Sequence, residues 1–354
     1  MKRLTNAEKL SQRREHSPSA VLYWILMKVV AIINKSVNTS FIYKAHPAEE
    51  KGPIVLVSNH ASRMDYLFTA PVCYPKRLNY VVGYNEFYRF PTNLLLRMAQ
   101  VIPKKNFTPD VHCIRSIHRV VREGGNICIM PEGMSSITGM AQPVMPGTGK
   151  LVKSLRCPVY YTKIAGGYLT FTKHFLDKRK GRIEVTVDKM FSPEDLALMS
   201  PEQIEDRMNE LLAHDDYIWN ESAQVLFEGD GHMAEKLDTL LYMCPKCGTM
   251  YDMNCEGNVM RCNHCGNTVS LDASGLSFEG SLRDKTLSFS IPIQSLPTFG
   301  MCTDISRFYT FLEGEFLEFY PEGKDALRWM HLVEEMHRAH GGKWQNVSYR
   351  HFQP

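Results

Sequence analysis

Short apolar, β-branched runs alternate with amphipathic stretches through the first two thirds of the chain. Residues 53–58, PIVLVS, form a continuous apolar run with no polar alternation, which predicts a strand buried on both faces. Further strands are predicted at 79–82, 101–102, 126–130, 159–165 and 182–187, that at 126–130 buried. Between them the period lengthens to that of helices. Helices are expected at 61–69, at 91–99 with Leu94, Leu95 and Met98 inward, and at 110–123 with Ile114, Ile117 and Val121 on one face. Gly124-Gly125 stops the last of these. A short helix follows at 149–155. Ser192-Pro193-Glu194-Asp195 and Ser200-Pro201-Glu202-Gln203 each offer an N-cap, a proline at the first helical position and a capping acid or amide three residues on. The second opens a helix to about 214. Strands alternating with helices predict an α/β layered domain.

The texture changes near residue 235. Short alternating segments appear at 276–278, 287–291, 308–311 and 316–320. An amphipathic helix is expected at 325–338, with Leu327, Met330, Val333 and Met336 at helical spacing. The expected organisation is an N-terminal helical region over 1–50, an α/β domain over 51–237, a cysteine-bearing module over 238–270, and a small β-rich domain with a terminal helix over 271–354.

Composition changes the picture in three ways. The chain has 354 residues, 44% hydrophobic and 22% charged, which fits about two globular domains and argues against disorder. A net charge of +3 does not identify a nucleic-acid binder. Residues 240–354 hold ten Lys/Arg against thirteen Asp/Glu, so the positive excess lies upstream. There the run AVLYWILMKVVAII at 20–33 follows Lys2, Arg3, Lys9, Arg13 and Arg14. It is shorter than the ~18–20 apolar residues of a membrane span. An interfacial helix tipped by Tyr23 and Trp24 is expected, with the basic residues toward anionic headgroups. The alternative is a helix packed onto the protein's own core.

The ten cysteines are unevenly spread. Cys73, Cys113, Cys128 and Cys157 read as buried small hydrophobes. No leader pattern is visible, so a reducing compartment is expected: cytoplasmic, peripheral on the inner face of the membrane. Cys244-x2-Cys247 and Cys262-x2-Cys265, each followed by glycine, have the spacing of two knuckles converging on one tetrahedral ion. Four thiolates leave no open position, so a structural Zn2+ is expected, with Cys255 and His264 as bystanders.

Chemistry is expected at two strand ends. Asn59-His60 closes the 53–58 strand, and Asp65 lies one turn beyond. That spacing lets the carboxylate fix one imidazole nitrogen while the other takes a proton from a hydroxyl. Pro131-Glu132-Gly133 closes the 126–130 strand in a tight loop. H-x4-D followed about seventy residues later by P-E-G resembles the glycerolipid acyltransferase family, of the 1-acylglycerol-3-phosphate acyltransferase type. Asn59, His60 and Asp65 match its first block. Pro131, Glu132, Gly133 and Ser136 match its second, and Cys157-Pro158-Val159-Tyr160-Tyr161 its proline-bearing strand.

The resemblance implies that His60 is the general base on an acceptor hydroxyl and Asp65 its orienter. It places Asn59, Glu132, Gly133 and Ser136 at the substrate site. It implies an acyl donor, either acyl-CoA or acyl carrier protein, and a lysophospholipid acceptor. The chain departs from the family where an arginine is replaced by Ser135; Lys104, Lys105 or Lys150 is the candidate phosphate ligand in its stead. The same loss leaves open a non-phosphate lipid or glycan acceptor, or a non-catalytic relative using the cysteine module.

Overall fold

The structure is a computed structural model that describes residues 6–105, 110–173, 178–272, 275–279, 300–301, 307–312 and 315–319, with Ala326 and Met330. The segment 287–291 and most of the helix expected at 325–338 lie outside the described residues.

The chain divides into two compact units. Among the described residues, the first comprises those up to 167 and those from 183 to 216, and the second those from 168 to 182 and from 217 onward. Helices are Asn6–Ser11 (α1), Ala20–Ser36 (α2), Tyr66–Thr69 (α3), Thr92–Met98 (α4), Val111–Arg122 (α5), Thr148–Leu155 (α6), Gly167–Thr170 (α7), Pro193–Leu198 (α8), Pro201–Leu212 (α9) and Asp216–Ala223 (α10). The first unit holds strands Thr39–Tyr43 (β1), Val55–Ser58 (β2), Leu78–Gly83 (β3), Ile102–Lys104 (β4), Asn126–Ile129 (β5), Val159–Ala165 (β6) and Ile183–Phe191 (β7).

These form one seven-stranded sheet in the order β1-β7-β6-β2-β5-β3-β4. β2 to β6 run parallel to their neighbours, β7 runs antiparallel to β6, and β1 is parallel to β7. The α/β fold is the one the alternating pattern predicts. Val55, Val57, Ile127, Ile129, Val159 and Tyr161 bury one sheet face, where the helical residues Ile117, Val152 and Ile204 join them. Leu56, Cys128 and Tyr160, one position out of phase, are buried on the other face. Both serine caps of α8 and α9 form full capping boxes, with Ser192 to Asp195 and Ser200 to Gln203.

Four expectations change. Residues 39–43 form a strand, not helix, because β7 offers a parallel edge 144 residues away, Thr39 pairing with Ile183. In α2, Tyr23 is a core residue and not an interfacial one: it is buried and donates to the carbonyl of Ala70 at 3.3 Å. Val30 and Asn34 are buried with it, whereas Trp24, Ile25, Val29 and Ile32 are exposed. In α4, Leu94, Leu95 and Met98 point to solvent, and the helix buries no residue at all. In α5, likewise, Ile114 is exposed while Cys113, Ile117 and Val120 turn inward. No helix among the described residues is long and apolar enough to cross a membrane.

In the second unit, Met253–Glu256 (β8), Val259–Cys262 (β9), Thr268–Asp272 (β10) and Gly275–Glu279 (β11) form an antiparallel sheet. β11 extends the cysteine-bearing sheet, so pairing continues across residue 271. Gly300–Met301 (β12), Phe308–Leu312 (β13) and Glu315–Phe319 (β14) make a separate small antiparallel sheet.

Candidate active site and metal centre

The parallel strands β2, β5, β3, β4 and β6 all end at one edge of the sheet, the usual place for a ligand site in such a fold. β2 delivers Asn59-His60 there, and its neighbour β5 delivers Pro131-Glu132-Gly133. Beyond His60 the chain turns through Ser62–Asp65 into α3. The Asp65 carboxylate reaches back to the Ser62 N–H at 2.9 Å, as an acid reaches back to a helix cap, and takes the Ser62 hydroxyl at 2.8 Å. Its second oxygen accepts from His60 Nδ1 at 2.8 Å. Asp65 is fully buried, while the His60 ring keeps 22% of its surface in solvent. With Nδ1 donating to the carboxylate, Nε2 is the ring nitrogen free to take a proton.

Glu132 is buried at the head of the adjacent loop. Its two oxygens accept the backbone N–H of His60 at 2.7 Å and of Gln142 at 2.8 Å. Burial pushes its carboxyl up to about 8, against the downward pull of those two donors and helped by the nearby Asp65 charge. The Ser136 N–H donates to the carbonyl of His60 at 2.7 Å, so the two loops grip His60 by both backbone groups. Gly133 sits at φ +77°, a conformation that costs a residue with a Cβ, and a Cβ there would meet Met145 Cγ at 3.3 Å.

The structure thus gathers His60, Asp65, Asn59, Glu132, Gly133 and Ser136 at one sheet edge, with the roles of several turned inward. Asn59 clamps β2 to β6, donating to the Ile164 carbonyl at 2.9 Å and accepting its N–H at 2.8 Å. The Ser136 hydroxyl donates to the Met140 carbonyl at 2.7 Å and accepts from Gly139 N–H at 2.8 Å. Lys104 and Lys105 are exposed at the end of β4, on the same edge but three strand spacings, about 14 Å, from β2. Sequence reasoning missed Ser62 and Gln142. Ser62 stands three residues before Asp65 in an S-x-x-D pattern, a legible turn signal; Gln142 carries none, because it acts through its backbone.

The four cysteines converge as their spacing predicts. The sulfurs of Cys244, Cys247, Cys262 and Cys265 all lie within 4.8 Å of one another. Cys244 and Cys265 are 3.7 Å apart, as are Cys247 and Cys262. A tetrahedron of thiolates at ~2.3 Å from one ion has edges of about 3.8 Å, so the set fits a single metal ion. Gly248 and Gly266, at φ +72° and +70°, make the turns after each pair. Their N–H groups donate to the carbonyls of Cys244 and Cys262, each at 2.9 Å. Cys255 is buried in β8 outside the cluster.

The acyltransferase family model matches residues 39–163, from β1 into β6, a span that contains both loops at His60. No curated protein matches the chain. Among solved structures, the chain is similar to the crystal structure of PlsC, the 1-acyl-sn-glycerophosphate (LPA) acyltransferase from Thermotoga maritima. The match has 14% sequence identity and a TM-score of 0.47, and covers 57% of this chain and 80% of that one.

Proposed function

Residues 39–163 are an acyltransferase domain, and from that premise we propose that the protein is a glycerolipid O-acyltransferase in which His60 is the general base. The observation that carries this reading is the His60 Nδ1–Asp65 contact at 2.8 Å, with Asp65 buried and the His60 side chain still 22% exposed. His60 Nε2 takes the proton of the acceptor hydroxyl as its oxygen attacks the thioester carbonyl carbon. The C–S bond then breaks, and the proton passes from Nε2 to the departing thiolate of acyl-CoA or acyl carrier protein. Asp65 holds the imidazole in the required tautomer and offsets its positive charge. No enzyme nucleophile is needed, because the donor is already activated.

Asn59, Glu132 and Ser136 support this chemistry by holding strand ends in place, since their polar atoms are engaged inside the protein. A lysophospholipid is the favoured acceptor, with Lys104 and Lys105 available to its phosphate on the same edge. The exposed face of α2, with Trp24, Ile25, Val29 and Ile32, would rest on the lipid surface that supplies it. The cysteine tetrad is the seat of a structural Zn2+, as four thiolates and no open position imply.

Acyl transfer from acyl-CoA or acyl carrier protein to 1-acylglycerol-3-phosphate tests the reading. His60→Ala is expected to lower the rate about 10²–10⁴-fold, the usual contribution of a positioned base. Equal rates in wild type and variant would remove His60 from the mechanism, and activity only on an acceptor without phosphate would redirect the assignment.

A further inference from the structure

A second histidine–aspartate pair lies behind the first. His214 Nε2 and Asp216 Oδ1 are 2.6 Å apart, and their side chains are 8% and 0% exposed. The same Asp216 oxygen accepts the backbone N–H of Gly166 at 2.8 Å. The pair therefore fixes the corner where β6 ends, at Gly166-Gly167. That corner abuts the candidate active site. A Cβ on Gly167 would lie 3.0 Å from the Ala61 Cβ and 4.0 Å from Asp65 Oδ1, so the backbone itself forms the wall beside Asp65.

The backbone of the same two residues grips the other loop. The Ala141 N–H donates to the His214 carbonyl at 2.7 Å, and the Asp216 N–H to the Gly139 carbonyl at 3.0 Å. Residues 139–142 are in turn bonded to Ser136 and Glu132, the two residues that hold His60 by its carbonyl and N–H. From 214–216, one arm reaches Asp65 through Gly166-Gly167, and another reaches His60 through 139–142. Both arms meet at the His60–Asp65 contact.

We propose that His214 and Asp216 are positioning residues for acyl transfer, setting the His60–Asp65 geometry by locking the β6 corner and the 139–142 segment to one buried anchor. This rests on the reading of His60 as base. Neither residue contacts His60 or Asp65 through its side chain, so neither is catalytic. A displacement of about 1 Å at a reacting group can cost on the order of 10²-fold in rate, and such a displacement is what loss of the anchor permits.

The test uses the full-length protein with His214→Gln, Asp216→Asn and, as a reference, His60→Ala. For His214→Gln and Asp216→Asn, kcat is expected to fall at least about tenfold while KM for donor and acceptor stays within about threefold. The downfield proton of the His60–Asp65 hydrogen bond, assigned by its loss in His60→Ala, is expected to shift or broaden in both. Asp216→Asn keeps size and an acceptor oxygen, so it reports even where His214→Gln folds poorly. Wild-type kcat together with an unmoved proton resonance in folded variants overturns the proposal. The resonance judges the pair on its own, and the rate of His60→Ala judges the base, so the two failures are separable.

Discussion

His60 is held by groups from well-separated parts of the chain: Asp65, itself bonded by Ser62, just beyond it, Glu132 and Ser136 some seventy residues on, and the adjacent Asn59 fastened to Ile164. The four cysteines are gathered within 22 residues by two turns and a hairpin. The first site is assembled by the sheet, whose parallel order brings distant strand ends side by side. The second is assembled by local turns, with a small core of its own that includes Met233, Leu237, Met260 and Leu271. A site built by a sheet spreads its dependence over many backbone hydrogen bonds, each contributing about 1 kcal/mol. A site built by turns around a metal ion would concentrate its dependence on that ion. The two should fail in different ways.

The largest effect is expected at the cysteines. Removing the ion with a chelator, or replacing Cys262 by Ser, takes away a contribution on the order of 10 kcal/mol to the folding of the region around β8 to β10. Amide exchange over 244–271 should then rise to near unprotected rates, with the bound metal lost in proportion. Protection over β2, β5 and β6 is expected to stay as it was. If these strands also lose protection, the contrast between a self-contained turn site and a sheet-built site is wrong.

How much of this was legible in the sequence follows the same division. The cysteine tetrad needed only spacing and two glycines. His60 and Asp65 were legible because they lie within one turn of each other, and Glu132 because Pro131 and Gly133 mark its loop. What the sequence did not disclose was nonlocal. β1 reads as part of a helical region until β7 supplies its edge. Leu94, Leu95 and Met98 share a face at helical spacing, yet periodicity reports only that a face exists, not that anything packs on it. Tyr23 and Trp24 are adjacent aromatics in one apolar run; only the packed structure separates a core residue bonded to Ala70 from an exposed one. His214 reads as the end of a helix, because Ala141, which donates to its carbonyl, and Gly139 and Gly166, which bond its partner Asp216, are distant in sequence.

A smaller effect sharpens the picture of the sheet-built site. Burial raises the Glu132 carboxyl from its ordinary 4.5 to about 8. The folded state then holds a proton that the unfolded chain releases between those values. It binds more protons than the unfolded state there, so this group makes stability fall as pH rises from about 4.5 to about 8. One such group gives a slope of at most about 1.4 kcal/mol per pH unit. Urea denaturation across that range should show the decline in wild type and lose this component in Glu132→Gln. The variant should also transfer acyl groups more slowly, since an amide offers one acceptor oxygen to two N–H donors. A variant that keeps both the slope and the rate would show that Glu132 does not brace the two loops.

The smallest effect on the fold is expected on α2, where the comparison turns from what holds a site to what lies outside one. Tyr23, Val30 and Asn34 fasten the helix, and Asn34 donates to the Leu67 carbonyl at 2.8 Å, which ties α2 to the helix that follows Asp65. The other face keeps Ile32 71% exposed and Trp24 51% exposed, with Lys28 over the Trp24 ring at 5.4 Å. Replacing Trp24 and Ile32 by Asp touches none of the buried contacts and should change stability by no more than about 0.5 kcal/mol per site. On vesicles containing anionic phospholipid, the same double variant should bind at least about tenfold more weakly, because it removes two inserted side chains and adds two negative charges. Its rate on a water-soluble short-chain acceptor should match wild type. Unchanged vesicle binding would move membrane contact away from α2, and a loss of rate on the soluble acceptor would mean that this face bears on the site through α3 and not on a lipid surface.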